Sequence, residues 1–196
     1  MSTLPKAFIS PEKYLELDRA AEYKSEYYDG EMFAMAGAPE GHTLVAANVL
    51  ASLHAQLRAR PCRAYGSDMR VQIRPHGRYA YPDVTVVCGQ PEFTDGRRDV
   101  LINPTVIVEV LSPSTANFDR GFKFDAYTAI ASMREYVLIE PSRVSLDVFT
   151  RQPNGRWLLA KALRLEDTID LESIGCQLAL SDVYEKVDFP AAEASA

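Results

Sequence analysis

Two acids interrupt stretches that otherwise read as buried strand. Asp83 lies in YPDVTVV (81–87) and Glu109 in TVIVEVL (105–111). A buried carboxylate without a partner is strongly unfavourable, and two of them side by side repel unless a cation sits between them. Oxygen donors with few imidazoles or thiolates nearby suit a hard cation, Mg²⁺ or Mn²⁺. A carboxylate pair holding such an ion polarises a phosphate and lowers the pKa of a bound water, the core of metal-assisted phosphodiester hydrolysis. The competing reading solvates each acid near a strand end or pairs it with an arginine, and these two segments alone leave both readings open.

The next segment, LSPSTANFDRGFKFDAYTAIA (111–131), supplies a cation of its own. Helical periodicity over 117–132 puts Asp119, Lys123 and Tyr127 on one face, four residues apart, with Phe122, Ala126 and Ile130 apolar. A helix that directly follows the Glu109 strand packs back across the sheet. Lys123 is then in reach of the acids, where its ammonium would orient an attacking water or neutralise developing charge. An ordinary i,i+4 pair between Asp119 and Lys123, worth only ~0.3–0.5 kcal/mol, is compatible with that role.

The elements that must position these residues follow from the pattern. Ser10-Pro11-Glu12 is a helix start, with Ser as N-cap and Pro at the first helical position, and the helix should run to about Tyr23. Asp29-Gly30 makes a tight turn into EMFAMAG. A second helix, about 41–59, aligns Val45, Val49, Leu50, Leu53 and Leu57. From Cys62 the period becomes two: CRAYG, MRVQI and YPDVTVV read as strands, with PHGR (75–78) as a turn. PTVIVEVLS, apolar on both faces, belongs at the centre of a sheet. After the Lys123 helix come the strand REYVLIEP and a hairpin, RVSLDVFT to RWLLAKALRL, turning at Pro153-Asn154-Gly155. The order implies an α/β fold, a mixed central sheet with a helix on each face and a C-terminal β-hairpin. One domain over 1–190 with a frayed tail at 191–196 is expected.

Composition narrows the function classes. The 196 residues carry a net charge of −6, which argues against a protein that coats nucleic acid non-specifically. Arg58, Arg60, Arg63, Arg70, Arg74 and Arg78 nevertheless fall in a stretch whose only acid is Asp68, while the chain from Leu165 onward is acidic. A local basic face on an acidic protein suits a selective nucleic-acid enzyme, and arginines solvating strand exteriors explain the stretch equally well. The acidic segment also admits a structural protein that docks a basic partner. No apolar run approaches the ~20 residues of a membrane span, and MSTLPKAFISPEKY lacks a secretory h-region. A cytoplasmic chain without a membrane partner is expected. Cys62, Cys88 and Cys176 show no CxxC spacing and read as small buried thiols in a reducing compartment.

EYYDGEMFAMAG (26–37), His42, SDMRV (67–71), YPDVTVV, EVLSPST (109–115), and Asp119…Lys123…Tyr127 leading into EYVLIEP form an ordered series. In that series the chain resembles the Uma family of restriction endonucleases, a branch of the PD-(D/E)XK nuclease superfamily. The resemblance covers about residues 10–150. It implies a restriction-endonuclease-like fold and a Mg²⁺- or Mn²⁺-dependent endonuclease that hydrolyses DNA. Asp83 and Glu109 would bind the metal with the Val110 carbonyl, and Lys123 would assist the nucleophile. Leu111 stands where the family signature E-x-K has its lysine, so Lys123 would supply the ammonium from the adjacent helix. By the same resemblance Glu26, in or just past the first helix, is an extra acid near the metal, and His42 and Asp68 fall at family positions. The displaced lysine keeps a second reading alive, an inactive nucleic-acid- or protein-binding module on the nuclease fold. Exposed strand edges make a homodimer a further expectation. Ser112 and His42 do not make a hydrolase triad, since no G-x-S-x-G elbow is present.

Overall fold

All five residues of VIVEV are buried, Glu109 included. A strand without a solvent face must lie inside a sheet covered on both sides, and the computed structural model, which describes residues 8–74, 77–113 and 115–189, puts it there. The tail at 191–196 and half of the PHGR turn lie outside the described residues.

The chain opens with α1 (Pro11–Ala20), capped by the Ser10 side chain, which accepts a hydrogen bond from the Lys13 amide. A hairpin follows, β1 (Ser25–Tyr28) with β2 (Glu31–Ala34). Its turn sets Asp29 at φ 48° and Gly30 at φ 103°, a conformation that Asp-Gly supplies at low cost. Helix α2 (Glu40–Leu57) leads to β3 (Cys62–Gly66), β4 (Arg70–Arg74), β5 (Arg78–Ala80), β6 (Val84–Cys88) and the short β7 (Val100–Leu101). Next come β8 (Val106–Val110), a helical segment, and β9 (Glu135–Ile139). β10 (Leu146–Arg151) and β11 (Trp157–Ala162) form the expected hairpin. The chain continues through β12 (Thr168–Leu171), β13 (Cys176–Ala179) and a short α5 (Leu180–Val183).

The strands divide into a six-stranded sheet, β11-β10-β9-β8-β6-β3, a five-stranded sheet, β2-β1-β5-β4-β7, and the β12-β13 pair. The larger sheet is mixed: β8 and β9 are parallel, joined through the helical crossover, while β6 runs antiparallel to β8. One face carries α2, whose Val45, Val49, Leu53 and Leu57 pack on Val84, Val86, Val106 and Val108. The other face is covered by the helical crossover together with the second sheet, which brings Val71, Ile73 and Leu101 against Ile107 and Tyr136. CRAYG and MRVQI therefore belong to different sheets, a separation that their shared period of two does not reveal.

Four expectations are corrected. The helix expected over 117–132 is broken into α3 (Ala116–Phe118), a π-helical turn (Asp119–Lys123) and α4 (Phe124–Thr128). The wide turn puts Asp119 and Lys123 together in the interior, and π-helical turns recur at functional sites. The acidic stretch after Leu165 is not a loose tail: Ile169, Leu171, Ile174, Leu178, Leu180 and Val183 complete the α2 side of the core and leave the acids outside. The cysteines are not three free thiols. Cys62 and Cys88 stand directly opposite in the β3–β6 register and form a disulfide, while Cys176 is free and buried. The arginines of the run do not all lie on the surface: Arg70 is buried against Asp18, while Arg60 and Arg63 stay exposed and donate to the Ile174 and Gly89 carbonyls. Among the described residues no helix is long and apolar enough to cross a membrane.

Candidate active site

The antiparallel β6–β8 pairing brings Asp83, just before β6, to the end of β8. Its Oδ2 accepts a hydrogen bond from the Val110 amide at 2.7 Å. Continued by two residues, the register that pairs Val84 with Val108 sets Pro82 opposite Val110. A proline has no N–H to give, so the Pro-Asp pair leaves the Val110 carbonyl unclaimed by Pro82 and places a carboxylate beside it. His42, in the first turn of α2, approaches Asp83 from the other side, with Nε2 3.5 Å from Oδ2.

Glu109 is 4% exposed. Its Oε1 accepts from the Tyr127 hydroxyl at 2.8 Å and from Lys123 Nζ at 3.1 Å. The same ammonium lies 3.1 Å from Glu26 and 3.3 Å from Asp119. Glu26 sits on β1, just past the first helix, and receives the Tyr28 hydroxyl at 2.9 Å and the Tyr81 amide at 3.4 Å. Asp119 Oδ1 is near the ammonium but makes no aligned hydrogen bond among the described residues.

Three carboxylates thus face one lysine, with Asp83 close by. Burial pushes the Glu109 carboxyl up to about 8, against the pull of Lys123 and with the help of the neighbouring acids. Asp83 is also raised, by burial first, with His42 and the Val110 amide opposing. Burial alone would lower Lys123, yet Glu109 and Glu26 overcome it and hold the ammonium well above its ordinary value. Burial keeps the Tyr28 and Tyr127 hydroxyls protonated as donors to the cluster. When ionised, these carboxylates outnumber the single ammonium, a balance that an added cation would restore. The donors are hard oxygens, and Mg²⁺ is commonly held by only one or two carboxylates with substrate phosphate completing the shell. Asp83, Glu109 and the Val110 carbonyl are the oxygens that would hold such an ion, although among the described residues no three His, Cys, Asp or Glu side chains are gathered as a ready metal cage.

A second buried network supports the segment that carries Asp83. Asp18 of α1 accepts from Arg70, from the Tyr81 hydroxyl at 2.6 Å, and from the Ser25 amide and hydroxyl at 2.7 Å each. Burial would raise Asp18, but the Tyr81 and Ser25 hydrogen bonds and the Arg70 charge outweigh it and lower the carboxyl. Ser25 adjoins Glu26 and Tyr81 lies two residues before Asp83, so the pair ties α1 to both acid-bearing segments.

The residues singled out from sequence therefore divide. Asp83, Glu109, Lys123 and Glu26 converge, with His42 beside Asp83. Asp68 does not join them: its side chain is 97% exposed and pairs with Lys24 at 3.1 Å. Tyr28 and the Asp18–Arg70–Tyr81 network were not anticipated. Tyr28 had a signal, since EYYDG places it two residues from Glu26 on one strand face. The Asp18–Arg70 pair spans 52 residues and has no local signature.

Residues 11–181 match the family described as "Uma2: Putative restriction endonuclease". Two uncharacterized proteins of Synechocystis are similar over most of their lengths. One is 31% identical over 181 residues, 92% of this chain and 94% of the relative; the other is 34% identical over 155 residues, 79% and 88%. A crystal structure described as a putative nuclease belonging to DUF820, from Anabaena variabilis, superposes with a TM-score of 0.75 at 16% identity, covering 90% of this chain and 97% of that one. At that identity the likeness speaks for the fold.

Proposed function

We propose that this chain, which belongs to the Uma2 family of restriction-endonuclease-like proteins, is a metal-dependent endodeoxyribonuclease. The observation that carries the reading is the meeting of Asp83, the Val110 backbone and Glu109 at the ends of adjacent strands, with Lys123 bonded to Glu109. Asp83, Glu109 and the Val110 carbonyl would hold Mg²⁺ or Mn²⁺. When bound, the cation supplies positive charge to the scissile phosphate and acidifies a water. Lys123 replaces the signature lysine that Leu111 lacks: it reaches the Glu109 carboxylate from the π-helical turn, where it offers a proton donor and a charge to the reacting phosphate. Glu26 and Asp119 hold that ammonium in place, and Tyr127 fixes the Glu109 rotamer. His42, 3.5 Å from the Asp83 carboxylate, helps to orient it.

The experiment is calorimetric titration with Mn²⁺ and Mg²⁺, wild type beside Asp83→Ala, followed by cleavage assays on plasmid, linear and single-stranded DNA. Saturable binding and cleavage, both lost in the variant, are expected. Cleavage that survives in Asp83→Ala would refute the assignment.

A second reading, a binding module that keeps the fold without cutting, is favoured by the ammonium already seated among the carboxylates. It requires that neither ion binds, with or without an uncleavable oligonucleotide.

A further inference from the structure

A group of rings lies beside the carboxylate cluster, and apart from the Tyr28 hydroxyl the hydrolytic chemistry makes no use of it. β1 and β2 pair with Glu26 directly opposite Phe33, and residues opposite one another in an antiparallel pair share a face of the sheet. Tyr28 shares that face, two residues from Glu26, and its hydroxyl bonds the Glu26 carboxylate at 2.9 Å. The Tyr28 ring lies 6.0 Å from Phe33, 5.2 Å from Phe118 and 5.3 Å from Phe122. Phe118 stacks on Phe122 at 4.8 Å, nearly parallel. The Arg78 guanidinium stands 4.4 Å over Phe122 and is steered by Asp29 at 2.7 Å. Tyr28 is buried, but Phe33 and Phe118 are 47% and 37% exposed. Moving outward from the acids, the surface runs from carboxylate to phenol to two open phenyl faces, bordered by an arginine.

We propose that this shelf stacks the bases of single-stranded DNA and so delivers an unpaired strand to the carboxylate site. The proposal takes its substrate chemistry from the nuclease reading above. Exposed rings bordered by arginine are the chemistry that holds unpaired strands, because every base offers a π-face and a guanidinium stacks on that plane or meets a phosphate. In a duplex those faces are covered by neighbouring bases. The charge of the chain points the same way. The chain carries a net charge of −6, and beside the site Arg70 is buried against Asp18 and Arg78 is paired with Asp29, so among the described residues there little unpaired basic charge is left to grip a duplex through its phosphates. Stacking is a contact that the surface beside the site offers without relying on counterion release.

The test is fluorescence anisotropy in EDTA, where cleavage is off, with a labelled oligothymidylate and a duplex of equal length. Wild type, Phe33→Leu, Phe33→Leu/Phe118→Leu and Phe33→Trp are compared, with circular dichroism to verify folding. Leucine keeps the apolar area and removes the ring. Wild type should prefer the single strand. The double leucine variant should bind it about tenfold or more weakly, with duplex binding unchanged, and Phe33→Trp should retain wild-type affinity. Phe33→Leu alone, on the edge strand β2, guards against misfolding of the double variant and should show part of the loss. Equal single-strand affinity in the leucine variants, a preference for duplex, or no binding by wild type would overturn the shelf. So would a concentration-dependent dimer that the leucine variants dissolve, since a second copy would then be its occupant. Cleavage of the same oligonucleotides with Mn²⁺ is scored separately. Cutting with affinity unchanged by leucine sinks the shelf and leaves the nuclease; ring-dependent binding without any cutting does the reverse.

Discussion

Glu109→Gln should change how stability depends on pH in the metal-free protein. Glutamine keeps the shape of the side chain and still offers an oxygen to the Tyr127 hydroxyl and to Lys123, but it does not titrate. In the wild type the carboxyl rises from 4.5 to about 8 on folding. Between those values the folded protein holds a proton that the unfolded chain has released. Folding therefore costs progressively more as pH rises through that window and levels off above it. Each pH unit is worth about 1.4 kcal/mol, which bounds the cost near 5 kcal/mol over the full window. Even about 2 kcal/mol would separate the melting temperatures by roughly 4–8 °C in a chain of this size. The assay is urea denaturation in EDTA at pH 5, 6.5 and 8. The two proteins should be close at pH 5, and the variant should gain steadily towards pH 8. A stability difference that stays constant with pH would show that Glu109 is not the buried, disfavoured acid described here.

Three other outcomes follow from the same contacts. Lys123→Met strips Glu26, Glu109 and Asp119 of their shared cation, so it should abolish cleavage and destabilise the metal-free protein at pH 8 by about 3–5 kcal/mol, read by urea midpoints; wild-type stability would contradict the network. Arg70→Met leaves Asp18 buried without its charge partner and should cost a similar amount, while metal titration of the surviving folded fraction still finds the Asp83 site. Denatured without reductant, the protein should alkylate at Cys176 alone, and at all three cysteines after reduction. Loss of the Cys62–Cys88 bond should lower stability by about 3 kcal/mol, seen as a lower melting temperature in dithiothreitol, and three labelled thiols without reductant would disprove the pairing.

The acids were visible in the sequence because burial makes a carboxylate in an apolar strand anomalous wherever the strand lies. Asp83 and Glu109 needed only the hydrophobic runs around them, and Lys123 needed only its place on the segment that returns from the Glu109 strand. The Asp29-Gly30 and Asn154-Gly155 turns, the central position of VIVEV and the α2 face were legible for the same reason: each is fixed by local conformational preference or by the burial of one stretch. What depends on register between distant strands was not. Cys62 meets Cys88, and Arg70 meets Asp18, only because pairing and packing bring segments 26 and 52 residues apart into contact. The division of alternating strands between two sheets, the inward acidic stretch whose apolar residues close the core, and the line of rings from Glu26 to Phe118 were settled in the same way. Sequence periodicity says which face of an element is apolar. Only tertiary packing says what that face meets.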